Sequence, residues 1–259
     1  AYFQTTLYSG TGSQQSITNG GNSDLQPDWL WIKERDGTSS HQIMDAVRLY
    51  YKRIESNNDS AQLDAGQTGA TNQNVTSFDS DGFGVKNGGA VNASGDTYVA
   101  WQWKESATAG FDICSWTGNG SAQNISHNLS KVPTMIIVKN RTDAGADWYV
   151  YNVHNGNTHS MILNTNTAKV GAYSDNWNNT TPTSSVFTVG SSNSTGGSSS
   201  DNMIAYVFTD IKGYSKFGSY TGNGNADGTF VYTGFKPAFI IVKKTNAAED
   251  WELFDNKRL

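Results

Sequence analysis

Residues that could support metal or acid–base chemistry are few, and their spacing argues against most of it. The four histidines are His41, His127, His154 and His159. His154 and His159 lie five apart, a spacing that on an irregular strand or loop does not guarantee convergence on one ion, and no cysteine or carboxylate cluster accompanies them, so they read as surface or hydrogen-bonded histidines. Cys114 is the sole cysteine; it can make neither an intrachain disulfide nor a zinc site alone, and reads as a small buried hydrophobe. Asp79-Ser-Asp-Gly82 begins like a calcium loop but lacks the later acidic ligand, so it reads as a turn. Other acids also sit mainly in turn contexts, and no Gly-x-Ser-x-Gly elbow is present. We expect no catalytic residue, no metal, no cofactor and no enzymatic activity.

Aromatic side chains offer a different chemistry, because an exposed indole stacks on a sugar ring while neighbouring amides bond its hydroxyls. Trp177, with Asn178 and Asn179 in a loop of Asn and Thr, is the candidate glycan contact; the competing reading packs it under its own loop. Trp31, Trp101, Trp148 and Trp251 fall on strand faces and are expected in the core. Lys33, Lys139 and Lys243 each end an apolar block, and Asp45 and Asp255 each stand eighteen positions past a proline. A lysine there caps a sheet edge or pairs with an acid, a structural use.

What positions these residues is a repeat. Tyr8-Ser-Gly-Thr-Gly12, Pro27 and Trp29-Leu-Trp-Ile-Lys33 match Trp116-Thr-Gly-Asn-Gly120, Pro133 and Met135-Ile-Ile-Val-Lys139. Tyr220-Thr-Gly-Asn-Gly224, Pro237 and Phe239-Ile-Ile-Val-Lys243 match both. The prolines are 106 and 104 residues apart, and Asp96-Thr-Tyr-Val-Ala-Trp matches Asp201-Asn-Met-Ile-Ala-Tyr 105 positions later. The period of about 105 residues gives units 1–107, 108–213 and 214–259, the last carrying only the first half of the pattern. Truncation is the favoured reading of that half unit, docking on its neighbour the other.

Short β-branched blocks, 27 Gly and only 4 Pro argue for strands joined by Gly and Asn turns. The Thr-Gly-Asn-Gly segments are expected to turn hairpins into β-prone runs such as Thr229-Phe-Val-Tyr-Thr233. The apolar block after each proline, a polar turn and Trp148-Tyr-Val-Tyr151 or Trp251-Glu-Leu-Phe254 form a second hairpin. Ala46–Ser56 has helical spacing but is assigned to strand. The fold class is all-β, tandem lectin-like β-sandwich modules of jelly-roll type, each closing its own core as beads on a short string.

Gln26-Pro-Asp-Trp-Leu-Trp-Ile-Lys-Glu-Arg-Asp-Gly37, Met44-Asp-Ala-Val-Arg48, Ser77-Phe-Asp-Ser-Asp-Gly-Phe83, Gly95-Asp-Thr-Tyr-Val-Ala-Trp101, Trp177-Asn-Asn-Thr-Thr-Pro-Thr-Ser-Ser185 and Phe217-Gly-Ser-Tyr-Thr-Gly222 together resemble a repeated domain of unknown function. That domain is abundant in virion proteins of marine bacteriophages, including cyanophages. The likeness covers nearly the whole chain; Arg48-Leu-Tyr-Tyr-Lys52 departs from a more Gly-containing stretch.

The resemblance implies a virion structural protein, a tail fibre or tail-associated host-binding component, made in the host cytoplasm and carried on the particle. The alternatives are a capsid decoration or architectural joint without receptor-binding role and, third, a carbohydrate-binding or carbohydrate-degrading spike. Expected partners are other virion proteins, a host surface glycan or protein, and further copies of the chain, with a trimer as the guess. A net charge of −5 without a Lys/Arg stripe argues against nucleic acid. No run approaches the roughly 18 apolar residues that span a bilayer, and residues 1–10 lack an export signal, so no membrane partner is expected.

Overall fold

The computed structural model describes residues 1–64, 75–171 and 173–258. Its first stretch holds β1 (Phe3–Ser9), β2 (Gln15–Thr18), β3 (Trp29–Glu34), β4 (Gln42–Asp45), β5 (Lys52–Glu55), β6 (Leu63–Asp64), β7 (Val75–Asp79), β8 (Gly82–Val85), one helical turn α1 (Gly89–Asn92) and β9 (Thr97–Trp103). Next come β10 (Phe111–Thr117), β11 (Gln123–Ser126), β12 (Met135–Asn140), β13 (Tyr149–Asn152), β14 (His159–Ile162), β15 (Val170–Gly171), α2 (Ser174–Trp177), β16 (Val186–Val189) and β17 (Asn202–Phe208). A hairpin of β18 (Phe239–Val242) and β19 (Glu252–Asp255) follows. The molecule is all-β and of sandwich type.

Two six-stranded antiparallel sheets dominate, ordered β1-β9-β3-β4-β5-β6 and β10-β17-β12-β13-β14-β15. Their equivalent strands occupy the same places. Smaller sheets, β2-β8-β7 and β11-β16, pair separately and cover one face of each.

Side-chain alternation assigns the faces. Leu30 and Ile32 of β3 join Ile17, Phe83, Val85, Tyr98 and Ala100 in one core. Ile136 and Val138 join Ile125, Trp177, Phe187 and Val207 in its counterpart.

The opposite faces do not meet water. Trp29, Trp31, Ile43 and Trp101 of the first large sheet pack with Phe111, Ile137, Trp148 and Tyr206 of the second in one aromatic layer. The result is four layers, small sheet, large sheet, large sheet, small sheet, and it replaces the expectation of separate beads. Phe239, Ile241, Trp251 and Leu253 of the hairpin pack against the same layer.

Other expectations change too. Thr-Gly-Asn-Gly does not close a hairpin: β1 pairs with β9, and β2 pairs with β8. In the first two units the turn carries the chain from a large sheet to a small one, with Gly12 and Gly120 at φ 68° and 71°, and Gly224 takes the same φ of 70°, a conformation that glycine adopts without penalty. Thr229-Phe-Val-Tyr-Thr233 is no strand, and Phe230 and Tyr232 are 86% and 78% exposed. Its equivalents β2 and β11 pair with β8 and β16; among the described residues this run has no such neighbour, and an unpaired backbone does not hold a strand.

The post-proline hairpins form as expected, β3 with β4, β12 with β13 and β18 with β19. Of Ala46–Ser56, only β5 is strand. The residues before it form a turn with Leu49 at φ 80°. Asp79-Ser-Asp-Gly82 is the tight connection of β7 to β8, and Asp81 Oδ1 accepts the Leu25 N–H at 3.1 Å.

Candidate functional site

A cleft of about 590 Å³ is lined by Lys33, Glu34, Arg35, Asp36, His41, Thr97, Trp101, Trp251, Leu253 and Arg258. One wall is the end of β3 and its turn, a second is β9, and the third is β19 with the residues after it. A smaller cleft of about 240 Å³ shares His41, Trp251 and Leu253.

Beside this cleft, Glu34 and Asp36 of its lining and the neighbouring Asp96 bring carboxylate oxygens to within 4.8 Å of one another, a set that sequence spacing did not disclose. Asp36 already accepts Thr97 N–H at 3.0 and 3.1 Å and its hydroxyl at 3.0 Å, bonds that hold its carboxyl below the usual range. Glu34 accepts the Ser39 N–H at 3.1 Å, and bonding to Ser39 lowers it likewise. Lost hydration and the Glu34 and Asp36 carboxylates push Asp96 up. These oxygens tie the turn after β3 to β9; the chemistry is that of a locked loop.

His41 is half-buried at the mouth, where its Nδ1 accepts the Trp31 indole N–H at 2.8 Å. The neutral ring therefore carries its proton on Nε2. Lost hydration, with Lys33 and Arg258 nearby, pulls the imidazole from 6.5 down to about 4.

A histidine whose folded pKa is depressed contributes stability above its unfolded value and loses it as the pH falls through the folded one. Stability should therefore drop by about 2–3 kcal/mol between pH 6.5 and 4 on account of this ring. Urea titrations at pH 7.5 and 4.5 measure it. His41→Gln, which keeps an acceptor for Trp31, should flatten that dependence, and an unchanged slope would refute the assignment.

The remaining histidines and Cys114 stay apart. Buried His127 lies 3.2 Å from the Thr183 carbonyl, His154 lies 3.3 Å from that of Phe217, and His159 starts β14. Burial raises the Cys114 thiol, which rests against Asp112. Glu105, between β9 and β10, is pushed up to about 7 by lost hydration and by its hydrogen bond to Asp112.

Trp177 corrects the glycan reading. Its ring is 2% exposed, lies edge-on to Tyr151 at 5.6 Å, and donates its indole N–H to Ser160 Oγ at 2.8 Å. A buried ring presents no face to a sugar. Asn178 and Asn179 remain exposed, both at φ 49°, and the Asn157 amide fixes their loop through the Asn179 carbonyl at 2.9 Å.

Two of the recurring lysines, Lys139 and Lys243, share a role that sequence alone left open, whereas Lys33 Nζ donates only to Glu34 O and Gly37 O of its own turn. Lys139 Nζ donates to the carbonyls of Ala146, in its own turn, and Asp59, across the interface at 2.9 Å; burial pulls its ammonium down to about 8. Lys243 Nζ donates to Glu249, in its own turn, and to Asn166 across the next interface at 3.0 Å. Around each lysine the same bonds recur. Trp148 Nε1 donates to Glu55 O at 2.9 Å, and Trp251 Nε1 to Ile162 O at 2.8 Å. Gly145 N–H meets Asp59 O as Glu249 N–H meets Asn166 O, and Gln62 N–H meets Arg141 O as Lys169 N–H meets Thr245 O.

The return contact also recurs. Asp45, paired with Arg48 at 2.6 Å, accepts the Tyr206 hydroxyl at 2.7 Å. Asp255, paired with Arg258 at 2.6 Å, accepts the Trp101 indole N–H at 3.0 Å. Trp101 and Tyr206 occupy the same place on β9 and β17, facing Trp31 and Ile137.

A family model described as Domain of unknown function (DUF7483) matches residues 1–259. The chain belongs to this family. Neither a curated protein nor a solved structure matches it. The DUF7483 match runs through both large sheets and the hairpin, the same span that the aromatic layer unites.

Proposed function

We propose that the chain is a structural protein of a bacteriophage particle, a tail fibre or tail-associated component that presents loops to the host surface. The observation that carries this reading is the recurring contact. The same set of lysine, indole and backbone bonds joins the first large sheet to the second and the second to the hairpin. Surfaces made to receive one copy after another are assembly surfaces. Binding falls to loops held on such a scaffold, and the Asn178–Asn179 loop braced by Asn157 is of that kind. Partners are other virion proteins, further copies of the chain and a host glycan or protein.

A capsid decoration or architectural joint is the second reading, favoured by the shared aromatic layer, which makes a rigid block. A reconstruction of the particle, with cell-binding measurements on the purified chain, separates the two. Density at the tail and saturable attachment to susceptible cells support the fibre reading. Density on the head surface alone supports the joint, and absence from the particle removes both.

A further inference from the structure

The first two repeats are joined through a pair of acids. After β9 the chain turns and enters β10, with the backbones of Ser106 and Phe111 bonded to each other at 2.9 and 3.1 Å. Glu105 stands in this linker. Its N–H is held at 2.8 Å by Asp28 Oδ2, just before β3. Its carboxyl reaches into the second repeat, where it accepts the Ile113 N–H and is hydrogen-bonded to the Asp112 carboxyl. Asp112 is 2% exposed, and its Oδ2 also accepts the Asn128 N–H at 2.6 Å. Two carboxyl groups make such a bond only with a proton between them.

The next joint is built differently at one position. Ile211 and Ser215 bridge there as Ser106 and Phe111 do. Asp210, 105 positions after Glu105, accepts the Phe217 N–H at 2.9 Å, and Phe217 lies 104 positions after Ile113, as Tyr220 does after Trp116. In the place of Asp112, however, stands Lys216, whose Nζ bonds Asp210 Oδ2 at 2.7 Å. Acid faces lysine at the second joint and acid faces acid at the first. Among the described residues no lysine or arginine forms an ion pair with Glu105 or Asp112.

The surroundings favour keeping the proton. Lost hydration, the Asp112 carboxyl and the Asp28 carboxylate push Glu105 up to about 7. Lys104 lies 3.0 Å from Asp28 and compensates that acid, not the pair. The Cys114 thiol, 3.6 Å from Asp112, is kept neutral by burial, and the residue beside Asp112 on β17 is the apolar Val207. Burial works upward on Asp112 too, but the bonds from Glu105 and Asn128 prevail and hold it below its usual range. The pair therefore keeps one proton, carried by Glu105.

We propose that Glu105 and Asp112 are a proton-operated latch between the first and second repeats. The shared proton fastens the linker to β10; its loss sets two carboxylates against each other and releases Glu105 from the strand. The second joint, with its lysine, stays fastened. A carboxyl whose folded pKa is raised contributes stability that is complete below its unfolded value and is lost as the pH rises through the folded one. The contribution of Glu105 is thus lost between pH 4.5 and about 7, and above that the latch is open.

Carbon-13 NMR of the full chain labelled at its glutamate carboxyls, with Glu105 assigned by comparison with Glu105→Gln, tests the proposal together with amide exchange. We expect Glu105 to titrate with a midpoint near 7. The protection factor of the Ile113 amide should fall at least about tenfold between pH 6 and 8.5, the weight of one pK unit, while that of Phe217 holds. Glu105→Gln, whose amide donates to Asp112 without a titrating proton, should keep Ile113 protection constant over the same range. Asp112→Asn should lower the Glu105 midpoint by at least about one unit, since an amide donates to the carboxylate where an acid repelled it. A Glu105 midpoint below pH 5.5 in the original chain overturns the latch. So does Ile113 protection that stays unchanged from pH 6 to 8.5, or that falls equally in the original chain and in Glu105→Gln.

Discussion

Arg48→Met should lower the free energy of unfolding by about 3–5 kcal/mol. Arg48 and Asp45 are 2% and 0% exposed, with Nε and Oδ2 2.6 Å apart. The guanidinium also reaches Ile43 O and the Tyr206 hydroxyl, each at 3.2 Å. Removing it leaves the Asp45 carboxylate inside the protein with no counter-charge, which costs far more than the pair contributes. Asp45→Asn combined with Arg48→Met should therefore cost less than Arg48→Met alone, because no charge is left stranded. Arg258→Met probes the same motif in a wetter place, with the Arg258 side chain 28% exposed, and should cost about 1 kcal/mol or less. Urea denaturation of the four proteins at pH 7 measures all three differences. A loss under 1 kcal/mol for Arg48→Met, or no relief in the double variant, would contradict the buried-pair account.

That motif marks a limit of what the sequence discloses. The post-proline blocks and their hairpins are legible because a run of only four or so apolar residues between a proline and a polar turn is too short for a helix and has few alternatives to a strand. The offset of 105 between Asp96 and Asp201 likewise places β9 and β17 on one another. Asp45–Arg48 reads locally as a turn, and its partner Tyr206 lies 161 residues away. The equivalent partner is a tryptophan, Trp101, so matching residue types does not connect the two. Trp177 misled for a related reason: Asn and Thr around an indole look like an exposed loop, and the Ser160 hydroxyl that receives its N–H lies on β14.

The shared layer did leave a signal. Trp29-Leu-Trp-Ile32 is apolar at every position, and a strand of a free-standing two-sheet sandwich needs only alternate ones. Four consecutive large apolar residues require a second covered face, and that face is supplied by the other large sheet.

Trp29→Ala tests whether the two large sheets stand or fall together. Trp29 is 2% exposed, and its ring centroid lies 4.5 Å from those of both Trp103, in its own sheet, and Tyr206, in the other. Phe111 and Phe208, at 5.6 and 5.8 Å, complete the contact across the layer. Truncation to alanine should cost about 3–5 kcal/mol, since lost transfer energy and a cavity between two rigid sheets add. Trp29→Phe should be milder, about 1–2 kcal/mol, because an aromatic ring stays and the buried indole N–H, which meets no acceptor among the described residues, goes with the substitution. The diagnostic is where the loss is felt. If residues 3–103 were a separate bead, amide exchange in β12 and β17 would not respond to a change in β3. With the aromatic layer common to both sheets, Trp29→Ala should accelerate exchange in β3, β9, β12 and β17 by similar factors and leave one unfolding transition at lower denaturant. Unaltered protection in β12 and β17 would mean that the layer is a contact between finished domains and not a core, and the four-layer description would fail with it.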